Sequence, residues 1–112
     1  MTDFERWGIY EADVPFEDGQ DSKRRPVLFL SKEECYVFSL KMTSHAPRYK
    51  KMEGEYELMK WKEAGLSKPT VVQCSKLLQL NEKRFTGRQF GRLTATDIIG
   101  MEQMLQYMRI KK

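Results

Sequence analysis

Two short apolar runs, Pro26-Val27-Leu28-Phe29-Leu30-Ser31 and Cys35-Tyr36-Val37-Phe38-Ser39-Leu40-Lys41-Met42, are separated only by Lys32-Glu33-Glu34. Both are rich in β-branched and aromatic residues and too short for stable helices, so they read as strands. A link that short predicts an antiparallel hairpin, with the start of one strand opposite the end of the other. The rest of the chain follows suit. Gly8 to Val14 reads as a strand stopped by Pro15, Glu55 to Met59 as a half-exposed strand, and Thr70 to Cys74 as a β-branched strand. Phe16 to Arg25 reads as a charged loop. Arg84 to Leu93, with Gly87 and Gly91 among its arginines, reads as a bent strand or turn, and Trp61 to Gly65 as one helical turn ended by glycine.

The clearest helix is the last element. Ile98, Met101, Leu105 and Met108, widened by Met104, form an apolar stripe at helical spacing, and Thr94 with Asp97 three residues on resembles a capping box. Five or six short strands closed by a helix predict a mainly β (α+β) fold, a small antiparallel barrel or a strongly curved sheet. With 112 residues the chain is expected to form one domain, 1–112, hiding roughly 65% of its unfolded surface without staples.

Composition narrows the function classes. No apolar run approaches the roughly 20 residues of a membrane span, and the acidic start is unlike a signal peptide. Cys35 and Cys74 set no disulfide framework, so a reducing cytoplasm is expected. The sole histidine is His45, and no CxxC, HExxH, GxGxxG or Walker pattern occurs, which argues against a metal and against a nucleotide cofactor. The formal charge of +4 conceals an asymmetry: residues 1–22 carry seven acids and one base, net −6, leaving +10 on residues 23–112. Such a basic remainder fits a polyanion partner, or acidic and basic segments that neutralise each other on folding.

Metal-free chemistry on a polyanion is possible when the polyanion is RNA, whose 2′-OH can attack the adjacent phosphorus. That chemistry needs a cation for the developing phosphoryl charge, groups that move protons, and room for splayed bases. Arg24 and Arg25 enter the first hairpin strand, and Thr43, Ser44 and His45 leave the second, so hairpin pairing brings Arg25 and Thr43 close. The same residues read equally as a solvated loop and a hydroxyl-capped turn.

At these positions the chain resembles the MazF/PemK-type toxins of bacterial toxin–antitoxin systems. The likeness begins at Asp18-Gly19-Gln20-Asp21-Ser22-Lys23-Arg24-Arg25-Pro26-Val27-Leu28, where a charged loop leads through Arg-Pro into an apolar strand. It continues through Met42-Thr43-Ser44, through residues 61–72, and through Gly87-Arg88-Gln89-Phe90-Gly91-Arg92-Leu93, in the family's order. The resemblance implies an SH3-like β-barrel with short helices and a C-terminal helix, a homodimer, and a metal-independent, sequence-specific endoribonuclease of the bacterial cytoplasm. Such toxins cut single-stranded mRNA to a 2′,3′-cyclic phosphate, inhibiting translation and growth. A cognate antitoxin restrains them, and DNA binding comes only through that complex.

The family's catalytic arginine falls on Arg25 and its hydroxyl residue on Thr43, with Ser44 beside it. The positions that in some members carry a catalytic Arg and Asp hold Gln73 and Ser75 here, which opens the role of proton acceptor to His45 or Asp21. Lys23, Arg24, Arg48, Lys50, Lys51, Gln73, Arg84 and Arg88 are the expected RNA-binding residues. The alternative is a non-catalytic toxin or RNA- or peptide-binding barrel of the same fold, in the manner of a gyrase poison.

Overall fold

In the computed structural model, which describes residues 3–16, 19–44 and 54–111, the expected hairpin is the centre of an antiparallel sheet. Among these residues the chain forms six strands and one α-helix: β1 Gly8–Pro15, β2 Ser22–Glu33, β3 Tyr36–Ser44, β4 Glu55–Glu57, β5 Thr70–Asn81, β6 Phe85–Arg92 and α1 Ala95–Lys111. A short 3₁₀ turn, Glu82–Arg84, joins β5 to β6. The strand order is β4-β5-β3-β2-β1-β6. Every pairing is antiparallel. The mainly β fold with a C-terminal helix is as expected. The sheet curls like a barrel, but its edge strands β4 and β6 do not pair with each other.

Curvature comes from bulges, which add residues to one strand and sharpen its bend. On β5 the partner of β3 jumps from Leu77 opposite Leu40 to Gln73 opposite Lys41, so Cys74, Ser75 and Lys76 are extra. The Cys74 amide bonds the Gly54 carbonyl at 2.8 Å instead, which helps β5 serve β3 and β4 along one length. That interruption of the alternation is why the sequence pattern ends the strand at Cys74, seven residues early.

The charged stretch before Pro26 is also strand rather than loop: β2 starts at Ser22, and Arg24 and Arg25 pair with Asp13 and Ala12 of β1. Cross-strand charge compensates for the poor β propensity there, with the Arg24 guanidinium 3.6 Å from the Asp13 carboxylate.

The main core gathers Ile9, Leu28, Leu40, Met42 and Val72 from the strands, with Met101 of α1 fully buried against them. The rest of the helical stripe, Ile98, Met104, Leu105 and Met108, is half-buried, as its spacing predicts. The capping box does not form. Thr94 accepts the first helical bond through its carbonyl, from Ile98 at 2.9 Å, while its buried hydroxyl has no partner. The Asp97 carboxylate turns away to a distant segment. It is fully buried and accepts from the Tyr56 hydroxyl at 2.8 Å and the Met59 and Lys60 amides at 2.9 Å each.

Those bonds anchor the turn that spans the open side of the sheet. Residues 61–65 make the helical turn read from the sequence. Its end has the bonds of a Schellman motif: Leu66 N–H to Trp61 C=O and Gly65 N–H to Lys62 C=O, both 3.1 Å. Gly65 has φ +99°, and a Cβ on it would strike the Phe90 carbonyl, while one on Gly91 would strike the Ala64 carbonyl. The two glycines thus let the turn and β6 touch backbone to backbone. We expect Gly91→Ala to cost about 1–3 kcal/mol, since any side chain there must push the touching main chains apart. Urea unfolding would measure it, and wild-type stability would contradict the close contact.

Candidate active site

The β2–β3 ladder begins at Val27–Lys41, and its register continued two residues sets Arg25 against Thr43. Both residues line one cavity of about 380 Å³. Its floor comes from residues 23–26 of β2 and 42–44 of β3. The remaining lining is residues 65–68 of the turn, Thr70, and Arg88 and Phe90 of β6. Thr70 pairs with Ser44, which brings the turn's exit beside the exit of β3. Phe90 lies between the residues that pair with Ile9 and Tyr10, and this bulge position helps turn its ring from the regular alternation.

Arg25 is half-buried, and its Nε–H is buried without an acceptor. An orphaned guanidinium donor beside a cavity is unusual, because a buried N–H left unbonded costs about 1–3 kcal/mol. An anion's oxygen in the cavity would supply the missing acceptor. Thr43 is half-buried with its hydroxyl only weakly engaged, 3.2 Å from the Ser44 carbonyl, and Ser44 is exposed. Two oxygen-bearing side chains and a bidentate-capable cation in one concavity suit a phosphodiester.

The other expected residues divide. Lys23, Arg24 and Arg88 also line the cavity. Arg24 is tied to Asp13, and Arg88 lies 3.8 Å from Glu11 with its guanidinium 4.4 Å over the Phe90 ring. Asp21 does not line it: its carboxylate accepts from the Ser22 amide at 2.8 Å, holding the β1–β2 connection. Gln73 is also outside the lining and donates to the buried Glu55 carboxylate at 3.1 Å. Arg84 sits on the 3₁₀ turn, away from the cavity. His45, Arg48, Lys50 and Lys51 lie outside the described residues.

A family model of PemK-like, MazF-like toxins of type II toxin–antitoxin systems matches residues 5–108. The chain belongs to this toxin family. Among solved structures, the toxin is similar to an endoribonuclease from a mycobacterial species in complex with its cognate antitoxin, at TM-score 0.70 and 14% identity, covering 92% of this chain and 91% of that one. It is also similar to a mycobacterial endoribonuclease at TM-score 0.68 and 14% identity, covering 94% and 89% of the two chains. The Mycobacterium tuberculosis toxin MazF-mt6 matches at TM-score 0.67 and 24% identity, covering 88% and 91%. At these identities the likeness is one of fold. A search of curated proteins finds no match.

Sequence reasoning missed the residues that the turn and β6 bring in, chiefly Ser67, Lys68 and Phe90. The block at residues 61–72 marked that turn as belonging to the resemblance, but its meeting with β6 depends on the curl of the whole sheet.

Two titratable groups away from the cavity, Cys74 and Tyr56, are held in their protonated forms. Burial, and secondarily the Glu55 charge, pushes the Cys74 thiol up to about 11. Burial first, then the bond to Asp97, pushes the Tyr56 hydroxyl above its ordinary range. Because folding favours the protonated thiol, that contribution to stability is complete below pH 9 and is lost as pH rises from 9 toward 11. Urea midpoints taken across that window should fall in the wild type and fall less in Cys74→Ala. Parallel profiles would remove Cys74 as the cause. No helix among the described residues is long and apolar enough to cross a membrane. No group of three or more His, Cys, Asp or Glu side chains there could hold a metal ion.

Proposed function

We propose that this toxin is an endoribonuclease that cuts single-stranded mRNA without a metal ion and so arrests translation and growth. What supports the reading above all is the orphaned Arg25 Nε–H at a cavity shared with Thr43 and Ser44. In the proposed reaction the ribose 2′-OH attacks the adjacent phosphorus as the P–O5′ bond breaks. The products are a 2′,3′-cyclic phosphate and a 5′-hydroxyl, the departing O5′ taking its proton from solvent. Arg25 stabilises the charge gathering on the non-bridging oxygens, where a preorganised donor is most effective. Thr43 and Ser44 orient the phosphate. The 2′-OH proton passes to His45, next to Ser44 in the chain, because the Asp21 carboxylate is outside the cavity lining and already bonded to the Ser22 amide.

The toxin works as a homodimer, and a cognate antitoxin, of the kind present in the mycobacterial complex, restrains it by filling the same groove. Any DNA binding belongs to that complex. Incubation of purified protein with single-stranded RNA in excess EDTA tests the reading. Fragments ending in 2′,3′-cyclic phosphate are expected, and 2′-deoxy substitution at the cleaved nucleotide should protect the strand. Intact RNA under conditions where expression still arrests growth would favour the non-catalytic binding toxin.

A further inference from the structure

The cavity has a cation that the sequence pattern did not single out. Lys68 is exposed, lines the cavity with Arg25 and Thr43, and forms no ion pair among the described residues. Three nearby bases differ in this respect, Arg24 lying 3.6 Å from Asp13, Arg88 3.8 Å from Glu11 and Arg92 3.1 Å from Glu5, whereas Lys23 and Arg25 share it. Three acids of the opening segment are therefore paired with bases of β2 and β6, while Lys23, Arg25 and Lys68 in the cavity lining have no ion pair among the described residues.

The backbone presenting Lys68 is unusually well fixed for a surface turn. Asp97 holds the entry of the turn through the Met59 and Lys60 amides, and the Gly65–Gly91 contact seats its middle on β6. At its exit, the Lys68 carbonyl accepts from the Thr70 hydroxyl at 2.8 Å, and Thr70 pairs with Ser44. A lysine anchored at entry, middle and exit presents its ammonium at lower ordering cost than one on a mobile loop.

We infer that Lys68 is a phosphate-binding residue of the Arg25 cavity, gripping a backbone phosphate of the bound strand next to the one Arg25 holds. The inference rests on the ribonuclease reading above and adds a residue to its substrate site. Lys68 acts in binding rather than in the bond-breaking step, as a point charge outside the buried Arg25 donor.

Affinity of a single-stranded RNA falls with salt by a slope of about 0.7 per phosphate contact, so one lost contact weakens binding about fivefold at about 0.1 M salt. The test uses the full chain and a single-stranded 2′-O-methyl RNA of the cleaved sequence, which binds but lacks the nucleophile. Lys68→Gln should raise Kd about fivefold at about 0.1 M salt and reduce the slope of log K against log salt by about 0.7. Lys68→Arg should restore affinity and slope. Lys62→Gln, on the same turn but outside the cavity lining, should change neither. Wild-type affinity and slope in Lys68→Gln overturn the inference while leaving the ribonuclease reading intact. A wild-type protein that cleaves no RNA overturns the reading itself.

Discussion

Arg25→Ala is expected to lower the rate of RNA cleavage by about 10²–10³-fold, the cost of removing one preorganised donor from developing charge. The fold should survive, because Arg25 is only half-buried and its Nε–H bonds to nothing that would be orphaned. Its circular dichroism and melting temperature should therefore stay close to wild type, or rise slightly as a buried unsatisfied donor disappears. Arg25→Lys keeps the charge but loses the planar fork, so it should recover only a fraction of the rate. Single-turnover cleavage at saturating RNA separates this loss from weakened binding. A wild-type rate in Arg25→Ala would remove the residue from the chemistry. An equal loss in kcat and folding stability would make its role structural.

That Arg25 and Thr43 share a cavity could be read from the sequence because the relationship is local. Two strands joined by a short link pair antiparallel, so the start of one lies near the end of the other. The one-residue shift between Phe29 and Ser31 that sets Arg25 against Thr43 rather than Ser44 was not legible. The strands themselves were legible wherever β-branched residues cluster. They were not legible where the compensation came from elsewhere. Residues 22–25 look like a charged loop until Asp13 stands opposite Arg24. The end of β5 is hidden by the extra residues Cys74, Ser75 and Lys76, which break the alternation.

Lys68 and Phe90 were invisible as site residues for a deeper reason. They line one cavity from the turn and from β6, and that approach depends on Gly65 and Gly91 touching, 26 positions apart. The charge asymmetry was half legible. Its neutralising share is real, since Glu5, Glu11 and Asp13 pair with Arg92, Arg88 and Arg24. What the count concealed is which bases stay unpaired, among them Lys23, Arg25 and Lys68 of the cavity lining, which form no ion pair among the described residues.

The second large effect is expected at Asp97, which the sequence pattern made a helix cap and the fold uses as a clamp. Asp97→Ala leaves the Met59 amide, the Lys60 amide and the Tyr56 hydroxyl without their acceptor, in a site where the carboxylate is fully buried. At about 1–3 kcal/mol per orphaned donor, with partial relief from water, the loss should be about 3–5 kcal/mol. That is a large share of the roughly 5–15 kcal/mol that holds an ordinary domain folded.

Asp97→Asn should cost less but not nothing. The amide keeps one acceptor oxygen, yet its NH₂ group must face one of the two backbone amides, which also donates. Tyr56→Phe removes only one of the three bonds and should cost about 1 kcal/mol. The order Ala, then Asn, then the tyrosine variant distinguishes a clamp from a mere N-terminal charge. A carboxylate acting on the helix dipole alone would contribute about 0.3–1 kcal/mol and be screened by salt. Urea unfolding at low and high salt decides between them: a loss of less than 1 kcal/mol that vanishes in salt would reduce Asp97 to a dipole partner. A salt-insensitive loss of several kcal/mol would establish the carboxylate as the anchor of the turn that carries Lys68 to the cavity.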